Sequence, residues 1–132
     1  MAALLLITHG HVGEVMLAMA VETLGKCPMT ARCLDVGAND EPSAVLERAR
    51  EIIREFESED VIVLTDLFGS TPSNIATKLV REFDGLVLIA GLNIPMLIRL
   101  LNYAGQETPV LVQKAISGGC DGIFVYDPDR DV

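Results

Sequence analysis

Four short apolar runs, Ala3–Thr8, Ala31–Asp35, Asp60–Thr65 and Gly85–Ala90, alternate along the chain with segments of helical periodicity. They are rich in Leu, Ile and Val and mostly lack the in-out alternation of a strand with one wet face, so they read as strands buried on both sides. Strands of that kind, each followed by a helix, predict a parallel sheet covered on both faces. The helices fit. Gly13–Leu24 carries Val15, Met16, Met19, Ala20 and Leu24 on one stripe and stops at Gly25, a residue suited to a left-handed C-terminal cap. Pro42–Glu57 turns Val45, Leu46, Ala49, Ile52, Ile53 and Phe56 inward. Thr71-Pro72, Pro95 and Thr108-Pro109 mark three further starts, where the missing proline N–H costs nothing. The fourth helix is expected to end near Asn102 and the last at Ser117, before Gly118-Gly119. Gly122–Tyr126 follows as a fifth strand candidate, with its direction left open by the glycine-rich entry. The expected architecture is one α/β domain over residues 1–132, with a mostly parallel open sheet.

Charge narrows the function. A net charge of −9 and a pI near 4.5 exclude nucleic-acid binding, which needs a basic surface, and suit a protein steered towards a basic partner. The early apolar stretch Ala2–Ile7 is too short to span a membrane, and no basic residue precedes it as in a secretory signal. A soluble, cytoplasmic protein is expected. Cys27, Cys33 and Cys120 are odd in number and lack metal-binding spacing, so they read as reduced thiols, with no metal site.

In an open parallel sheet, ligands bind beyond the carboxyl ends of the strands. Strand one is followed by Thr8-His9-Gly10, strand three by Asp66-Leu67-Phe68-Gly69-Ser70-Thr71, and strand four by Gly91-Leu92-Asn93. These loops put a histidine, a carboxylate and a Gly/Ser/Thr turn on one edge, provided strands one and three lie side by side. A neutral imidazole is nucleophilic, and a carboxylate on one ring nitrogen fixes the tautomer and stabilises the cation formed as the other reacts. The turn before Pro72 leads into a helix N-terminus, where free N–H groups favour an anion. Each residue also has a plainer reading. His9 and His11 are then loop surface, Asp66 and Gly69 turn formers, and Asn93 a helix cap.

In combination the segments Thr8-His9-Gly10, Thr65–Asn74 (TDLFGSTPSN) and Ala90–Leu97 (AGLNIPML) resemble the enzyme IIA domain of the mannose family of the bacterial phosphotransferase system. The resemblance runs over nearly the whole chain and implies that His9 carries a phosphoryl group. The group would come from HPr and pass to an enzyme IIB. Asp66 would orient His9; Gly69, Ser70 and Thr71 would form the phosphate-binding turn, and Asn93 would belong to the other motif loop. No cofactor is implied. A homodimer is, in which Gly122–Tyr126 crosses to the neighbouring subunit and pairs antiparallel there. Many relatives have a second glycine where Ser70 stands. No Ala/Pro-rich linker or IIB domain follows the fifth strand, so a link to sugar uptake needs separate IIB and membrane subunits, and contact with the membrane would be indirect. A stand-alone regulatory module signalling through His9 is the alternative. A receiver-like domain phosphorylated on Asp66 needs acidic metal ligands after strand one, where Thr8-His9 stands, and a His/Asp hydrolase lacks further support.

Overall fold

A computed structural model of the protein describes residues 1–130. Five helices surround one sheet in the order β1 (Ala3–His9), α1 (Val12–Leu24), β2 (Ala31–Val36), α2 (Pro42–Glu55), β3 (Val61–Thr65), α3 (Thr71–Glu82), β4 (Leu86–Ala90), α4 (Ile94–Asn102) and α5 (Thr108–Asp121). The strand order is β2-β1-β3-β4, and every pairing is parallel. Strands β1 and β3 are the inner pair, with Ile7 opposite Thr65 at their carboxyl ends.

The apolar runs explain the layers. Leu4 and Leu6 of β1 pack with Ile62 and Leu64 of β3 against α1, α4 and α5, while Leu5, Ile7 and Val63 face α2 and α3. Leu4, Leu5, Leu6 and Ile7 are fully buried. Each side chain of this size contributes about 1.5–3 kcal/mol when withdrawn from water. Helix α1 therefore leaves β1 towards one face and α3 leaves β3 towards the other. Their starts diverge at the carboxyl edge between β1 and β3, where the strand order switches direction.

Several boundaries differ from those read in the sequence. Helix α2 ends at Glu55 rather than Glu57. The Thr-Pro and Ile-Pro pairs enter their helices one residue early, with Ser70, Asn93 and Glu107 as the N-caps. Proline is tolerated there because the N–H groups of the whole first turn lack helical acceptors. Gly25 does cap α1, at φ 83°, with its N–H on the Val21 carbonyl. The larger correction concerns Gly118 and Gly119. They do not stop α5, which continues to Asp121. A Cβ on Gly118 would lie 2.6 Å from the Arg99 Cβ, and one on Gly119 3.1 Å from the Asn93 Nδ2. The glycines allow α5 to press against α4. The expected fifth strand is not formed within this chain: residues 123–127 have no regular structure, and Ile123, Phe124 and Val125 stand exposed.

Replacing glycine by alanine inside a helix normally stabilises it by about 1 kcal/mol. Gly118→Ala is expected to reverse that sign, destabilising the protein by about 1–3 kcal/mol in urea unfolding through overpacking against Arg99.

Candidate functional site

The site grows from a difference in strand length. Strand β3 stops at Thr65, whereas β1 continues to His9. The His9 N–H finds a side chain in place of a neighbouring strand carbonyl, donating to Asp66 Oδ2 at 3.1 Å. The same oxygen lies 2.8 Å from His9 Nδ1, and Oδ1 accepts the Leu67 N–H at 3.1 Å. Burial pushes the Asp66 carboxyl up, but the hydrogen bonds from the His9 ring and N–H outweigh it and hold the group below its usual range. An ionised carboxylate only accepts, so Nδ1 carries the proton and Nε2 is the nitrogen left to react. The His9 side chain is 50% exposed and that of Asp66 16%. A surface hollow lined by Met1, Thr30, Arg32, Glu55 and Phe56 lies at the opposite, amino edge. His9 instead stands on an open face.

The β1–α1 connection is held from below. Thr8, fully buried, accepts the Gly13 N–H on its hydroxyl at 2.8 Å, which closes the first turn of α1. Any Cβ on Gly13 would sit 2.9 Å from that hydroxyl, so only glycine lets α1 come so close. Gly10, at φ 47°, makes the turn between them, and its N–H bonds the Val36 carbonyl of β2 at 2.9 Å.

The Gly69–Thr71 turn departs in detail from what the sequence implied. The Ser70 hydroxyl donates to the Leu67 carbonyl at 2.6 Å, and the Gly69 N–H donates to the Ser73 hydroxyl at 2.8 Å. Both groups are therefore committed within the turn. Thr71 is exposed and opens α3 ahead of Pro72, so its hydroxyl and the backbone N–H groups of Ser70 and Thr71 are the donors left for an anion. Ser73, 1% exposed, braces the turn by accepting the Gly69 N–H and donating to the Ser70 carbonyl, a role that no signal in the sequence announces. Asn93 is a helix cap: its Oδ1 accepts the Met96 N–H at 2.9 Å. Its loop is tied to the site by the Leu92 N–H, which bonds the Thr65 carbonyl at 3.0 Å.

His11 was read as loop surface with no partner assigned. It is 79% exposed, yet its Nδ1 lies 2.6 Å from Asp35 Oδ2 and 3.2 Å from Glu14 Oε2. Hydrogen bonding to Asp35, then the charge of Asp35, then Glu14 hold the imidazole above its ordinary 6.5. The three ligand-type atoms lie within 4.8 Å of one another. Two ligands on one tetrahedral zinc ion stand about 3.3 Å apart, given bonds of about 2.0 Å. The 2.6 Å contact is that of a charge-assisted hydrogen bond.

Comparison with known proteins agrees with this architecture. Residues 3–115 match the family model EIIA-man, described as "PTS system fructose IIA component". The chain belongs to this family of enzyme IIA components of the phosphotransferase system. It is 28% identical over 125 residues to the mannose-specific EIIAB component of Escherichia coli K12, covering 92% of this chain and 38% of that protein, and so spans about two fifths of that relative. Over 46 residues, 35% of this chain and 32% of the relative, it is 37% identical to the fructose-specific EIIA component of Bacillus subtilis. The mannose/sorbose-specific IIA subunit of Enterococcus faecalis superposes with a TM-score of 0.85 at 26% identity, covering 96% of this chain and 95% of that one. No helix among the described residues is long and apolar enough to cross a membrane.

Thr8→Val keeps the shape of the side chain but leaves the buried Gly13 N–H without an acceptor. A loss of about 1–3 kcal/mol in urea unfolding is expected.

Proposed function

We propose that this chain is a phosphoryl carrier in which His9 Nε2 accepts a phosphoryl group from the phosphohistidine of HPr and passes it to an enzyme IIB. The observation that carries the reading is the Nδ1–Asp66 contact of 2.8 Å, which leaves Nε2 on an open face. In the forward step a P–N bond forms at His9 Nε2 as the P–N bond of the donor breaks. The donor ring, protonated on its other nitrogen, departs as neutral imidazole, and the Nδ1 proton of His9 stays on its hydrogen bond to Asp66. Asp66 holds the His9 ring in register and offsets the positive charge that develops on it. The Thr71 hydroxyl and the backbone N–H groups of Ser70 and Thr71 take the equatorial oxygens. A charge-assisted hydrogen bond contributes about 1.5–3 kcal/mol, against roughly 0.3–1 for the helix dipole, so directed contacts dominate. Positioning and electrostatics of this kind supply most phosphoryl-transfer catalysis. A half-exposed ring suits a macromolecular donor better than a small enclosed substrate.

The carrier acts in the cytoplasm as a homodimer in this reading, and meets the membrane only through transporter subunits. The apolar segment Ile123-Phe124-Val125 and the position of β4 at the end of the sheet support an exchanged strand, since each supplies what the other lacks.

With enzyme I, HPr and phosphoenolpyruvate, His9→Ala should abolish labelling. Asp66→Asn should keep the fold but slow transfer by about 10-fold or more, as expected for loss of a charge-assisted contact. Rapid-quench labelling checks both, and wild-type rates in Asp66→Asn would remove its assigned role. A chain ending at Gly122 should sediment as a monomer where the full chain sediments as a dimer.

A further inference from the structure

The four loops at the carboxyl edge, residues 8–14, 35–42, 65–72 and 90–96, contain Glu14, Asp35, Asp40, Glu41 and Asp66 but neither lysine nor arginine. A phosphoryl group arriving here carries negative charge towards acidic side chains. Apart from His9, which must receive it, His11 is the one side chain of these loops able to carry positive charge.

We propose that His11, clamped as an imidazolium by Asp35 and Glu14, supplies the positive charge that these loops otherwise lack and thereby promotes phosphoryl transfer to His9. The inference rests on the carrier reading and deepens it. The geometry sets the two histidines apart. Both rings are tethered through Nδ1, His9 to the acid that follows β3 and His11 to an acid of β2, on either side of β1. Only His9 is bonded to the connection that leads into α3, through Asp66. His11 has two carboxylates at a single nitrogen, an arrangement that favours the cation over the neutral nucleophile. Asp35 Oδ1 is buried without a hydrogen-bond partner, so the bond to His11 is the main compensation for its charge.

The groups facing His11 are Glu14 from α1 and Asp35 from β2. Cys33, also on β2, has its thiol pushed up to about 11, first by burial and then by these two acids, and stays neutral at working pH. The His9–Asp66 pair lies two residues back along the chain. Because the pKa of His11 is raised, its cation persists to higher pH than that of an ordinary imidazole and is lost as the pH climbs through the raised value. Transfer should weaken over that interval.

The test measures phospho-HPr to His9 transfer by rapid quench between pH 6 and 9.5, for the full chain and for His11→Gln and His11→Lys. Each variant is read as a ratio to wild type, so that the titration of HPr itself cancels. His11→Gln should be about 3- to 10-fold slower than wild type near pH 6 and approach it at high pH, the size expected for the loss of one solvent-screened charge on the same loop. His11→Lys should match wild type at low pH and exceed it at high pH, because lysine stays charged. A His11→Gln ratio of one at every pH would overturn the inference, as would His11→Lys behaving like His11→Gln, or peptide mapping that finds the phosphoryl group on His11. Those results leave the carrier reading intact. Failure of the wild-type chain to be labelled overturns the carrier reading and this inference with it.

Discussion

The parallel pairing of β1 with β3 is the constraint on which the rest depends. It buries Leu4 to Ile7 completely and sets Ile7 opposite Thr65. That register brings the residues just past the two strand ends together. His9 outruns its neighbour, its N–H lacks a ladder acceptor, and the Asp66 side chain supplies one while also binding the ring. One oxygen thus restrains both the backbone and the imidazole of the same residue. A slip of one residue between the strands would reverse which side chains face each helical layer, so the hydrophobic core enforces the geometry of the site.

The surroundings of β1 make the two histidines of its loop unequal. On the β3 side the connection to α3, residues 66–70, holds Asp66 as its one acid and leads to a helix start whose N–H groups lack helical partners. On the β2 side it continues into a loop with Asp40 and Glu41, and Asp40 closes that loop on the Gly37 N–H at 2.7 Å. An anion is therefore favoured on one side of β1 and opposed on the other. The division between His9 and His11 follows from the position of β1 between a donor-rich and an acid-rich neighbour.

The layers were legible in the sequence because the strands are buried on both sides and so leave short apolar runs that no loop would carry. The meeting of His9 and Asp66 was legible once those runs were taken as adjacent and parallel. Partners that depend on side-chain reach were not. Nothing in the spacing of His11 and Asp35, 24 residues apart, shows that they touch, because that contact exists only once β1 and β2 have paired. The committed hydroxyl of Ser70 was hidden for a similar reason: a serine before Thr-Pro looks the same whether it faces out or bonds Leu67. Gly118-Gly119 misled because a glycine that ends a helix and one that admits a neighbouring helix are the same letter. Only the Arg99 and Asn93 atoms opposite distinguish them.

The close seating of α5 on α4 reaches further than packing. Gly119 abuts the amide of Asn93, that residue caps α4, and the adjoining Leu92 is anchored to the last carbonyl of β3. The chain beyond Asp121 thus departs from the rim of the reactive edge, a few bonded links from Asp66. The exposed residues after Gly122 are therefore joined, through packed and hydrogen-bonded neighbours, to the carbonyl that precedes Asp66.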